Sequence, residues 1–175
     1  MTQIERIIGP YDDRQAVCQD FDPKAIEVAK QVSATIRSYL PGVTVEHFGS
    51  TSVPGCAGKG IVDLMLLYPD GQVARARDVL DALGFQRQTG RDPFPEDRPM
   101  RTGSVLYDGL TVLLHVHVIA ASSPEAKELR HFRDRLRADS DLVASYVAAK
   151  KTGNRSPEKE AQLRRSGAAM LTIWR

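Results

Sequence analysis

Three residues of this chain combine metal-ligating or acid–base chemistry with a strand-like setting: Asp63, His115 and His117. Asp63 lies in the apolar run Ile61 to Tyr68, where alternation places it on one face with Ile61, Met65 and Leu67. A carboxylate among apolar neighbours is costly unless it is paired, hydrogen-bonded or bound to a cation. It is therefore a functional acid, or else one satisfied by an arginine or a backbone turn. His115 and His117 share a face of the run Leu110 to Ile119 with Leu113 and Ile119, while Val112, Leu114, Val116 and Val118 form the other face. Two imidazoles and one carboxylate suit Zn²⁺, Mn²⁺ or Fe²⁺. The histidine pair could instead contact a phosphate, act as acid and base, or be core histidines satisfied by hydrogen bonds.

A small-residue stretch leads into Asp63. After His47 come the turn Gly49-Ser50-Thr51-Ser52 and a loop holding Pro54, Gly55, Gly58, Lys59 and Gly60. A hydroxyl-rich glycine turn before a strand that carries an acid can hold a phosphate on backbone N–H groups beside a metal-binding carboxylate. A plain connecting turn has the same composition. Lys59, the one cation of the loop, either neutralises a phosphate or is a solvated surface lysine. His47 either contacts the ligand or orients the turn. Cys56 has no base near it in sequence and reads as a packing residue. Ser50 is not in a G-x-S-x-G elbow, which argues against a serine hydrolase.

The elements that must position these groups follow from periodicity. A helix starts near Asp22-Pro23, an acidic cap followed by proline, with Ile26, Ala29, Val32, Ile36 and Leu40 on one stripe. Pro41-Gly42 ends it, and Val43 to Phe48 reads as a strand. Asp70 to Leu83 is a second helix stopped by Gly84, and Phe85 to Gln88 a short strand. The loop from Arg91 to Arg101, with three prolines and three arginines, reads as a surface excursion, with closure over a ligand as the alternative. Ser104 to Tyr107 and Leu110 to Ile119 form a hairpin about Asp108-Gly109. The second strand, apolar on both faces, is expected at the centre of a sheet. The rest is helical: one helix from Pro124, in which Arg130, Arg133 and Arg137 form a basic face, then Asp139 to Lys150, then a last helix from Ser156. Residues 1 to 21 read as an irregular lead-in.

Composition sets the class. The 175 residues are expected to form one domain, with 42% hydrophobic and 26% charged residues, ordinary for a globular protein. No apolar run reaches the length of a membrane span, no signal-peptide pattern opens the chain, and two isolated cysteines form no disulfide framework, so a cytoplasmic location is expected. Residues 124 to 175 hold 12 Lys/Arg and 7 Asp/Glu, a local +5 against −3 for the rest. That basic end could attract polyanions or be a solvated face. Nothing resembles a nucleic-acid-binding motif, so nucleic acid is not an expected partner.

Several ordered motifs resemble one family. The run HFGSTSVPGCAGKGIVDLMLL resembles the signature of the GrpB family, also found as a domain attached to some dephospho-CoA kinases. HVHVI at His115 to Ile119 resembles its second motif, and HFRDRLRADSDLVASYVAAK at His131 to Lys150 its third, which ends in a Tyr and a Lys. The early GPYDDR is similar to the family's opening Pro-Tyr-Asp stretch. The resemblance implies an α+β, nucleotidyltransferase-like mixed β-sheet flanked by helices, with a helical C-terminal third. In that superfamily a Gly-Ser turn holds nucleotide phosphates, and a pair of acids on the next strand binds Mg²⁺. Gly49 and Ser50 match the turn, and Asp63 matches the first acid. Met65 stands at the second acid's position and Gly60 at a position where the family has proline.

The expectation is a nucleotidyltransferase-fold protein that binds a nucleotide or another phosphorylated small molecule and transfers a nucleotidyl group to a small acceptor. Gly49, Ser50 and Thr51 would cradle phosphate. Lys59, Arg130 and Arg133 would neutralise it, with His47 nearby. Asp63, His115 and His117 would hold a divalent metal, Mg or Mn with Zn or Fe as alternatives, or serve as acid and base. The alternatives are a non-catalytic accessory module with a degenerate site, favoured by Met65, and a transition-metal enzyme built on Asp63, His115 and His117.

Overall fold

A computed structural model describes residues 4–12, 14, 16–89 and 93–151. The chain runs α1 (Lys24–Tyr39), β1 (Thr44–Phe48), a single 3₁₀ turn (Ser50–Ser52), β2 (Val62–Tyr68), α2 (Val73–Leu83), β3 (Gln86–Arg87), β4 (Met100–Tyr107), β5 (Leu110–Ala120), α3 (Pro124–Ala138) and α4 (Ser140–Lys151). The five strands form one mixed sheet in the order β1-β2-β5-β4-β3. β2 and β5 pair in parallel, and the other pairs are antiparallel. β5 is central, as its two apolar faces require. The last helix expected from Ser156 lies outside the described residues, as do Arg91 and Asp92 of the proline-rich loop.

Local chemistry accounts for most boundaries. Asp22 Oδ1 accepts the Lys24 N–H at 2.9 Å and caps α1. α2 begins at Val73, not Asp70, because Pro69 to Gln72 forms a turn first, closed by the Gln72 N–H on the Pro69 carbonyl. Gly84 ends α2 at φ 107°, and the Phe85 N–H reaches back to the Leu80 carbonyl. Asp108 and Gly109, at φ 51° and 75°, make the tight turn between β4 and β5. The Ser123 hydroxyl accepts the Glu125 N–H and caps α3, with Pro124 in its first turn. β4 starts at Met100, earlier than sequence alternation suggests, because Arg101 is drawn into the sheet by partners described below.

Alternation along β2 and β5 divides the interior into two cores. Val62, Leu64 and Leu66 of β2 and Leu114, Val116 and Val118 of β5 face α1 and α2, where they meet Val28, Val32, Ile36, Leu80 and Leu83. Burying one such side chain contributes about 1.5–3 kcal/mol. On the other face Phe48, Met65, Leu67 and Ile119 pack under α3 and α4 against Leu129, Phe132, Leu136 and Tyr146. That second core stops short of one end of the sheet, where Asp63, His115 and His117 lie.

The lead-in is less irregular than its sequence suggests. Gly9 pairs with Ser104 and extends the sheet edge beside β3, and Gln19 pairs with Gly58 on the glycine loop. Among the described residues, no helix is long and apolar enough to cross a membrane.

Candidate functional site

The parallel register of β2 and β5 sets Asp63 opposite His115 and Met65 opposite His117. Side chains of paired positions point to the same face, so the three groups converge. Their ligating atoms all lie within 4.8 Å of one another. His115 Nδ1 is 3.2 Å and His117 Nε2 4.0 Å from Asp63 Oδ1. Asp63 and His117 side chains are 2% and 3% exposed, while His115 keeps 19%.

The convergence is not a set of satisfied hydrogen bonds. Asp63 Oδ1 and His117 Nδ1 are the buried side-chain polar atoms, among the described residues, that lack a hydrogen-bond partner. His115 Nδ1 is close to Asp63 Oδ1, but the two are not aligned as donor and acceptor. Donors about 2.0–2.2 Å from one cation stand about 2.8–3.6 Å apart, from octahedral to tetrahedral angles. The Asp63–His115 spacing fits that range, and His117 stands slightly wide of it. Burial, then the positive charge of Arg98 and the neighbouring imidazole of His115, holds the His117 pKa well below the usual histidine range. His117 is thus neutral and able to ligate. The three donors fit a divalent cation of the Zn²⁺, Mn²⁺ or Fe²⁺ type.

Other elements enclose the site. The rings of Phe48 and Phe94 meet the His117 imidazole edge-on at 5.2 and 5.5 Å. Phe94 belongs to the proline-rich loop, which is pinned at two points. Arg98 pairs with Glu125 at the start of α3, and Glu96 pairs with Arg101 of β4, as well as with Arg77 and Arg87. The described part of this loop therefore lies over His117. From α4, Tyr146 and Lys150 border the same space. The Lys150 ammonium sits 4.7 Å from the Tyr146 ring centre, and burial lowers its pKa against the favourable pull of Asp63. Burial likewise raises the Cys56 thiol, which stays protonated and packs in the second core.

The glycine turn adjoins β2. Gly49, at φ 79°, has the backbone conformation that favours glycine, and Ser50, Thr51 and Ser52 are buried. Gly58 has no room for a side chain, since an added Cβ would meet Ser50 Oγ at 2.4 Å. Thr51 Oγ1 donates to the Ile61 carbonyl at 3.0 Å and contacts His47 Nε2 at 2.9 Å. The two side chains thus brace the turn against the start of β2. His47 is opposite Leu64 in the register and so faces α1, away from Asp63. Burial, then Arg137 and Arg133, lowers its pKa to about 4. Arg130 and Arg133 both pair with Glu46 of β1, Arg130 Nε at 2.8 Å and Arg133 Nη1 at 3.0 Å. Lys59 is exposed. The structure therefore brings together Asp63, His115 and His117, with Gly49 and Ser50 at the neighbouring turn, and commits His47, Thr51, Arg130 and Arg133 to other partners.

Sequence reasoning assigned no role in the site to Tyr11, Phe94, Tyr146 or Lys150. Tyr11 and the Tyr–Lys pair lie in the opening and third motifs, which were a usable signal. Phe94 had none beyond its loop.

The sequence profile described as GrpB protein matches residues 16–164. The chain belongs to the GrpB family. A UPF0157 protein of Streptomyces coelicolor is 36% identical over 152 residues, covering 86% of this chain and 76% of that protein. Another, from Halalkalibacterium halodurans, is 28% identical over 136 residues, 75% of this chain and 66% of its own length. The crystal structure of conserved protein GrpB from Enterococcus faecalis superposes with a TM-score of 0.63 at 18% identity, covering 91% of this chain and all of that one. A cytoplasmic RNA terminal U-transferase gives 0.52 at 19% identity, covering 79% of this chain and 44% of its own. Cid1 in complex with a UTP analogue gives 0.50 at 16%, covering 82% and 41%. This chain thus has the fold seen in these nucleotidyltransferases, and it spans less than half of either.

Proposed function

We propose that this GrpB-family protein binds a divalent metal through Asp63, His115 and His117, and with it a nucleotide or another phosphorylated small molecule, for nucleotidyl transfer to a small acceptor. The observation that carries the reading is the buried, unpartnered Asp63 Oδ1 beside two imidazole nitrogens. A polar atom left unsatisfied in a core costs about 1–3 kcal/mol, and a shared cation removes that cost. Two imidazoles and one carboxylate favour Mn²⁺, Zn²⁺ or Fe²⁺ over Mg²⁺, which prefers oxygen donors. A cation held there would neutralise charge on a phosphoryl group.

This chain's own residues do the remaining work. Gly49 and Ser50 offer the turn beside β2 for phosphate, while Thr51 and His47 keep its backbone in place. Lys59, from the loop, and Lys150, from α4, supply positive charge. Arg130 and Arg133 act first on Glu46, so phosphate would have to compete for them. Phe48 and Phe94 exclude water from His117.

Metal content and calorimetric nucleotide binding, measured on wild type and Asp63→Asn, test the reading. About one equivalent of Mn, Zn or Fe in wild type, lost in the variant together with metal-dependent nucleotide binding, is the expected result. Metal-free wild type that gains no nucleotide affinity on adding Mn²⁺ or Zn²⁺ would refute it. One observation favours a second reading, a binding module without turnover. Met65, at the position of the superfamily's second acid, is fully buried in the second core. That module would bind ligand and yield no product.

A further inference from the structure

The Tyr11 hydroxyl lies 2.8 Å from His115 Nε2, and its ring is tilted against the imidazole with centroids 5.3 Å apart. Its backbone is anchored on its N-terminal side and at its own N–H. Gly9 exchanges two hydrogen bonds with Ser104, at 2.8 and 3.1 Å, and the Ser104 hydroxyl donates to the Pro10 carbonyl at 2.7 Å. The Tyr11 N–H then donates to Gln86 Oε1 at 3.2 Å. These anchors deliver one phenol to one imidazole nitrogen. A half-exposed tyrosine needs no such support merely to satisfy its hydroxyl, which water can do.

The two nitrogens of His115 therefore face different groups, Nδ1 toward Asp63 and Nε2 toward Tyr11. We propose that Tyr11 is a positioning residue that sets the tautomer and orientation of His115 for metal binding, and that the Tyr11–His115 hydrogen bond reverses direction when metal is taken up. This rests on the metal-site reading above. Without metal, the negative charge of the carboxylate 3.2 Å from Nδ1 favours a proton there even without an aligned hydrogen bond, and Nε2 accepts the Tyr11 O–H. A ligating nitrogen must present its lone pair, and a ligating histidine donates its other ring N–H to a neighbour. With Nδ1 turned to the cation, the ring proton resides on Nε2 and is donated to the Tyr11 oxygen. The count balances: Nδ1 loses one proton, Nε2 gains one, and the phenol hydrogen rotates away. A phenol can serve as acceptor and donor in turn.

The test uses the full chain, wild type and Tyr11→Phe, titrated with Co²⁺ and followed by its visible absorption. Tyr11→Phe keeps the ring against His115 and removes only the hydroxyl. Long-range ¹H–¹⁵N NMR on wild type reads the His115 tautomer before and after Zn²⁺. We expect the Co²⁺ dissociation constant to rise about ten- to a hundredfold in Tyr11→Phe. The urea midpoint of the metal-free variant should match wild type, and His115 should move from the Nδ1–H to the Nε2–H form on Zn²⁺ addition. Equal Co²⁺ affinities, or a His115 tautomer that Zn²⁺ leaves unchanged, overturn the role of Tyr11 and leave the metal site standing. Weaker binding matched by a lower midpoint makes Tyr11 a structural residue only, which also overturns it. Wild type that binds no Co²⁺ removes the metal site and this inference together.

Discussion

Arg101 offers a sharp test of how the loop over His117 is held. Its side chain is 0% exposed, yet its two carboxylate partners, Asp81 and Glu96, are 42% and 34% exposed. Nη1 and Nη2 each reach a Glu96 oxygen at 3.1 Å, and Nε and Nη2 reach Asp81. The pairing is therefore asymmetric: the cation depends on its acids, whereas the acids keep water. In Arg101→Met the cavity is filled, Glu96 retains Arg77 and Arg87 at 3.3 and 3.4 Å, and Asp81 is solvated. The loss should be about 1–2 kcal/mol, the scale of charge-assisted hydrogen bonds partly replaced by water. In Asp81→Asn/Glu96→Gln a guanidinium stays buried with no counter-charge, at a cost of about 3–5 kcal/mol. For a chain of this size each kcal/mol moves Tm by about 2–4 °C. The double variant should thus melt about 6–20 °C below wild type and Arg101→Met about 2–8 °C below. Urea unfolding monitored by circular dichroism gives both values at a common slope. If Arg101→Met costs as much as the double acid variant, the asymmetry argument is wrong.

Two further outcomes follow from pairs near the turn. His47 has a folded pKa of about 4 against an unfolded value of about 6.5, so the unfolded chain binds the extra proton between those values. Stability should fall as pH drops from about 6.5 to 4, by about 3 kcal/mol in all, and His47→Gln should flatten that limb of the urea midpoint against pH. Glu46→Gln removes the carboxylate that Arg130 and Arg133 share, leaving Arg133, only 13% exposed, with Asp134 at 2.8 Å. A loss of about 1–3 kcal/mol with unchanged metal content is expected from denaturation and metal analysis.

Much of the sheet was legible locally. The Asp108-Gly109 turn, the two-faced β5 and the capped helices each depend on residues within a few positions of one another. The alternation of β5 also placed His115 and His117 together. What could not be read was the register that sets His115 opposite Asp63, because parallel strands joined through α2, β3 and β4 leave no local trace of their alignment. Glu46 shows the same limit: Arg130 and Arg133 read as a free basic face until β1 was placed beside α3. His47 shares strand parity with Val45, but only the β1–β2 register, with His47 opposite Leu64 and Phe48 opposite Asp63, shows that it faces away from the site. Tyr11 was hidden by distance, being 104 residues from the histidine it touches.

The position of β5 has a consequence for the growing chain. β1 and β2 can pair early, and β3 has only β4 to meet, but no contact between strands joins these halves until β5 enters between them. A nascent polypeptide that has not yet made Leu110 to Ala120 thus carries two unpaired inner edges. Such edges invite association with other chains. Synthesis of one strand therefore joins the two halves of the sheet and brings His115 and His117 beside Asp63 in the same event, before α3 and α4 follow to cover that face.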